Sequence, residues 1–75
     1  MHRVGIAESV VQNLLIARSS ESAQLEIGEE VIDESLTHIG RIVDIFGPVS
    51  RPYVAITPHS DLPLGRYLGA KLYAR

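Results

Sequence analysis

The amino-acid sequence predicts an all-β protein, a small closed six-stranded β-barrel, on three observations. Six stretches of about five to nine residues are rich in Ile, Val and Tyr, and they alternate or run apolar in the manner of strands. Glycine, proline and asparagine punctuate the gaps between them. Six strands with short connections in 75 residues would leave exposed edges if laid flat, and closure removes those edges.

The first strand is expected over RVGIAESVV, where Val4, Ile6 and Glu8 alternate with Gly5, Ala7 and Ser9. Gln12–Asn13 reads as a turn that opens the short apolar run NLLIARS. SAQLEIGEEV is the one helical candidate; Gly28 interrupts it, and a short loop or single turn there competes equally. Gly28 also suits a turn before the third strand, EEVIDES. HIGRIVDIF follows as nearly continuous Ile and Val, and Gly40 inside it predicts a bulge or a close backbone approach. Gly47–Pro48 is turn chemistry before PYVAITP, and Gly65 and Gly69 bracket the approach to the last strand, GAKLYAR.

A chain of this length forms a single domain, residues 1–75. Surface scaling gives it a folded area of roughly 4,500 Å², with about 60% of the unfolded chain's surface buried. That burial is close to the entropy cost of ordering the chain, so stability must come from packing, a staple or a partner. There is no cysteine, which excludes disulfides and thiolate zinc sites. His2, His38 and His59 are too far apart in sequence for a local ligand pair, so no metal is expected. No apolar run approaches the roughly 20 residues of a membrane-spanning helix, and MHRVGIAESV lacks the apolar stretch of a signal peptide. The reading is a soluble intracellular protein without membrane or small-molecule partners.

Net charge is −2, unevenly spread. Residues 1–35 hold two cations against seven carboxylates, and residues 36–75 hold five against two. An acidic segment such as 21–34 repels phosphate, so nucleic acid is not expected to wrap the whole domain. No catalytic constellation stands out. No glycine-flanked serine elbow, phosphate loop or dinucleotide fingerprint occurs. Glu29–Glu30 and Asp33–Glu34 are adjacent in strand patterns, and neighbours on a strand face opposite ways. A barrel this small is filled by its own side chains, which leaves no room for a pocket or a cofactor. Tyr67 and Tyr73 interleave with Arg66, Lys71 and Arg75, which makes this segment the candidate RNA-facing patch.

The densest signal is GRIVDIFGPVSRPYVAITP, with three of the four prolines and the only phenylalanine. Strict alternation puts Ile42 and Phe46 on one face of its strand and Ile39, Val43 and Ile45 on the other. Both faces are then apolar, whereas a single-layer barrel has one dry side, so a cover is expected: a local loop or the N-terminal strand folding over them, or, on the sharper reading, a docking partner protein. Pro48 and Pro52 stiffen the GPVSRP loop, and a stiff loop loses little entropy on binding. Phe46, Val49 and Tyr53 around it are the expected anchors.

The run Ile39–Pro58 also resembles the signature of glycine–arginine-rich-type (Gar-type) subunits of H/ACA ribonucleoproteins. Gly40, Ile42, Asp44, Ile45, Phe46, Gly47, Pro48 and Val49 match its strand and turn, and Pro52, Tyr53 and Val54 match the strand after it. Gly69, Leu72 and Tyr73 resemble the family's last strand. The resemblance implies a barrel related to the second domain of translation elongation factors. It implies a non-catalytic subunit, needing no cofactor, that binds the pseudouridine synthase catalytic subunit of a box H/ACA guide ribonucleoprotein. Such a subunit assists loading and release of substrate rRNA during pseudouridylation, with only indirect RNA contact. The implied docking residues are Ile39, Gly40, Ile45, Phe46, Gly47, Pro48, Val49, Pro52 and Tyr53. Eukaryotic members carry Gly/Arg-rich tails that this chain lacks, so the resemblance implies an archaeal-type short form in the cytoplasm (nucleolar in a eukaryote). The competing reading is a stand-alone RNA-binding barrel using Arg66, Tyr67, Lys71, Tyr73 and Arg75.

Overall fold

Every predicted strand is present in the computed structural model, which describes residues 2–19, 25–59 and 62–75. The strands are β1 (His2–Val11), β2 (Leu14–Arg18), β3 (Glu30–Asp33), β4 (His38–Phe46), β5 (Tyr53–Pro58) and β6 (Lys71–Ala74). They close in the order β1-β2-β5-β4-β3-β6, each neighbour antiparallel, so no sheet edge runs the length of the barrel. The exposed area, 4523 Å², is close to that expected from chain mass alone.

Local chemistry sets each corner. Gln12 and Asn13 hold φ of 51° and 66°, the left-handed pair of a type I′ turn, whose twist suits two strands joined by two residues. At the β3–β4 turn the Asp33 carboxylate accepts from the Ser35 and Thr37 backbone N–H groups at 2.8 and 2.9 Å. The helical candidate begins in residues 22–24, which lie outside the described residues; from Leu25 onward it forms turns and then β3. A single 3₁₀ turn, Leu64–Tyr67, comes after β5, and it inserts Leu64 into the barrel. It was not anticipated from the sequence, because one turn shows no periodicity.

The interior is filled by the chain's own side chains: Val4, Ala7, Leu15, Ala17, Val31, Ile39, Ile42, Val54, Ile56, Leu64, Leu72 and Ala74. Curvature this tight brings backbones close together. Gly40 shows it: a Cβ there would overlap the Thr57 carbonyl on β5, as the glycine inside the strand predicts. Gly5 on β1, not singled out from the sequence, sits equally close to the Arg18 carbonyl.

Strict alternation fails at β-bulges, which correct two sequence-based expectations. In β1 the register shifts between Arg3 and Gly5 and again between Ala7 and Ser9. Val4 and Ala7 therefore face inward while Ile6 is left 43% exposed, instead of sharing the face of Val4. In β4 the register shifts around Ile39 and again around Val43. Ile39 and Ile42 thus both enter the core and Ile45 packs against it, whereas Val43 and Phe46 turn outward. A bulge adds one residue to one strand and so reverses the inward–outward phase of every residue beyond it.

Candidate functional site

The outer wall carries the arrangement most distinct from ordinary barrel packing. Following strand register, Lys71 on β6 lies opposite Ile6 on β1, Ile6 opposite Arg18 on β2, Arg18 opposite Tyr53 on β5, and Tyr53 opposite Phe46 on β4. Directly paired residues share a face. Ala7, Ala17, Val54 and Leu72, the neighbours of four of these positions, are core residues, so the row faces outward. Five side chains therefore form one transverse stripe across five of the six strands.

Its middle is tightly built. Phe46 and Tyr53 stack with ring centroids 5.5 Å apart and planes inclined by 22°. On the β2 side of Tyr53 the Arg18 guanidinium lies 4.7 Å from the ring centroid, and its Nη1 donates to the Tyr53 hydroxyl at 2.9 Å. The Tyr53 ring is thus flanked on both faces, by a cation and by another aromatic, arrangements that each contribute roughly 0.5–1.5 kcal/mol. The Arg18 Nε–H is buried and has no acceptor among the described residues. Beside the pair the loop 47–52 turns with Gly47 at φ +89°, and Val49 stands 86% exposed at its tip.

The residues singled out from the sequence divide by place. Phe46, Gly47, Pro48, Val49 and Tyr53 meet at the β4–β5 corner and present partly or fully exposed surface. Ile39 and Gly40 do not join them. They lie at the far end of β4, buried, with Gly40 opposite Pro58 while Phe46 is opposite Tyr53. Neither has side-chain surface to offer a partner, because the bulge and the close strand crossing draw both inward. Pro52 is also buried, and its carbonyl accepts from the Ser19 N–H at 2.9 Å, which ties the loop to the end of β2. Ile45 packs partly against the core. Pro52 and Ile45 shape the corner from beneath. Arg18 and Ile6 are the stripe members that sequence reasoning missed; their neighbours come from strand register, which no local pattern displays.

The basic–aromatic set also splits. Lys71 and Tyr73 on β6 and Arg75 just after it alternate outward, between inward Leu72 and Ala74. Arg66 and Tyr67 belong to the 3₁₀ turn, and Tyr67 packs against the core. Carboxylates adjoin Tyr73, since it shares a shallow depression with Asp33 and Glu34. The face is mixed in sign.

Two of the three histidines set aside on sequence distance, His38 and His59, are brought together by the β3–β4–β5 pairing. His38 Nδ1 bonds the Glu30 carboxylate, and His59 Nε2 lies 3.6 Å from the same oxygen. Arg75 Nη1 reaches His38 Nε2 at 3.5 Å. The His38 hydrogen bond, helped by the charges of His38, His59 and Arg41, holds the Glu30 carboxyl below its ordinary value. Among the described residues no group of three or more His, Cys, Asp or Glu is arranged to hold a metal ion. A lowered carboxylate contributes stability above its unfolded-state value and loses that contribution as pH falls through the folded one. Glu30→Gln is accordingly expected to lower the melting temperature modestly at pH 6. The gap to wild type should close as pH falls through the acid range, and a pH series of thermal melts checks this. An open groove at one end of the barrel, lined by Glu8, Ser9, Val10, Asn13, Leu62, Leu64 and Leu68 among others, offers among the described residues one carboxylate and no second acid or base.

A filled antiparallel barrel whose distinctive chemistry lies on its outer wall is the architecture of a binding module. A family model described as the Gar1/Naf1 RNA binding region matches residues 1–75, the whole sequence, and the chain belongs to that family. A solved structure described as the Gar1 domain of Naf1 superposes with a TM-score of 0.81 at 27% identity, covering 97% of this chain and 80% of that one. An uncharacterized protein of Methanocaldococcus jannaschii is 41% identical over 56 residues, 75% of this chain. The match spans 65% of that relative's length. The family resemblance carried by Ile39–Pro58 is thereby borne out.

Proposed function

We propose that this chain is a non-catalytic accessory subunit of a box H/ACA guide ribonucleoprotein. It docks on the pseudouridine synthase catalytic subunit through the β4–β5 corner and assists loading and release of substrate rRNA, touching that RNA only indirectly. Family membership and the likeness to the Gar1 domain of Naf1 support this reading, and a cytoplasmic setting is part of the proposal. The observation that carries it is the stacked Phe46–Tyr53 pair, held outward beside a proline-stiffened loop whose tip, Val49, is almost fully exposed. Phe46 is 45% exposed, a large apolar ring left in water by a strand that buries Ile39 and Ile42 and half-buries Ile45. Aromatic anchors on rigid elements are what concentrated interface energy requires.

The alternating Lys71, Tyr73 and Arg75, with the family description naming RNA, favour a second reading, direct RNA binding. Titration of the purified chain with the pseudouridine synthase of the same genome, and separately with single-stranded RNA, separates the two. The docking reading expects a one-to-one complex with the synthase and no RNA affinity at low salt. RNA binding that falls steeply with salt, with no synthase complex, reverses the conclusion.

A further inference from the structure

The outer stripe has a charge imbalance. Of its five side chains two are cations, Lys71 and Arg18, and none is acidic. The guanidinium of Arg18 carries five N–H donors. Among the described residues its one acceptor is the Tyr53 hydroxyl, and no carboxylate lies within ion-pair distance of it. The nearest acids along the wall are not turned to it. Glu8 sits in the β1 bulge, and Asp44, two residues from Phe46 along β4 and opposite Ala55, directs Oδ1 to the Ile45 N–H at 2.9 Å. A half-buried guanidinium, oriented by stacking and by a hydroxyl, is a prepared receptor for a planar anion.

Resting on the docking reading above, we infer that Arg18 receives a carboxylate of the partner polypeptide, an Asp or Glu that enters between Ile6 and the Tyr53–Phe46 stack with apolar side chains around it. A protein carboxylate fits better than a nucleic-acid phosphate for two reasons. Both faces of the Tyr53 ring are already covered, so it cannot serve as a base-stacking platform of the kind single-strand binders use. The flanking surface is apolar, Ile6 at 43% and Phe46 at 45% exposure, and the net charge of the chain is negative. Apolar flanks match an acidic residue set in an apolar segment, and they leave a sugar–phosphate backbone without partners.

The test is a double-mutant cycle on the complex of the full chain with the pseudouridine synthase, read by titration calorimetry. Arg18→Gln is expected to weaken binding about 30-fold or more, as for loss of one partner of a desolvated charge pair. Arg18→Lys should recover only part of that loss, because an ammonium lacks the fork. One Asp or Glu of the synthase, replaced by Asn or Gln, should show a matching loss that is not additive with Arg18→Gln. Arg18→Gln binding within twofold of wild type overturns the inference while leaving the docking reading intact. So does the lack of any coupled synthase carboxylate, or a loss confined to single-stranded RNA binding. Absence of any complex overturns both. Should Arg18→Gln lower the melting temperature, the synthase variants decide, since they leave this chain intact: the charge pair is rejected if no single Asp→Asn or Glu→Gln change of the synthase weakens binding.

Discussion

Phe46→Ala and Tyr53→Ala are each expected to weaken association with the pseudouridine synthase by about 30- to 1,000-fold while the isolated chain stays folded. The magnitude is that of an interface anchor, about 2–4 kcal/mol. The retained fold follows from position. Both rings stand on the outer wall, and neither belongs to the group of buried side chains that fills the barrel. Phe46→Ala removes a ring that is 45% exposed and stacked on one neighbour, at a cost of about 1 kcal/mol. That is a few degrees in melting temperature for a domain of this size. Tyr53→Ala costs more, because it also removes the hydroxyl and the ring that orient Arg18. Calorimetric titration against the synthase beside a thermal melt of each variant reads both quantities. Unchanged co-purification of both variants with the synthase removes the β4–β5 corner from the interface.

The legibility of each feature in the sequence depends on how local it is. The six strands were legible because β-branched runs and turn residues act within a few positions, and the Gln12–Asn13 corner and the buried Gly40 are set by residue type alone. The exposed β4–β5 corner was legible in outline, since Phe46, Val49 and the prolines lie within a few residues of one another. Features set across strands were not legible. Arg18 and Tyr53 are 35 residues apart, and only the β2–β5 register makes them touch. His38 and His59 converge on Glu30 for the same reason. The inward turn of Ile39 escaped a different way: a bulge shifts the phase by one residue, and although Gly40 signals the first shift, no residue type in HIGRIVDIF marks the second, at Val43.

That phase change can be tested on neighbouring positions of β4. Ile42 has no exposed surface, lies opposite Ile56 and belongs to the buried core. Its backbone also closes the barrel, accepting from the Gly28 N–H at 2.8 Å and donating to the Glu29 carbonyl at 3.0 Å. Ile42→Ala leaves those backbone bonds in place and removes buried carbons that surrounding strands cannot collapse to replace, because each is held by two neighbours in a closed ring. The expected cost is about 3–5 kcal/mol. A domain of this length has about 4–11 kcal/mol in total, so the substitution removes a large share of it and lowers the melting temperature by roughly 15–25 °C. Ile42→Val should cost about 1 kcal/mol, and Val43→Ala, on the outward bulge, less than that. Strict alternation would place Ile42 and Phe46 on one face and predict similar losses of stability for the two truncations. The bulge at Val43 predicts opposite phenotypes: Ile42→Ala unstable yet retaining its docking residues, Phe46→Ala stable yet unable to dock. Urea melts of the two proteins decide between these, and equal midpoints would mean that β4 runs without the bulge.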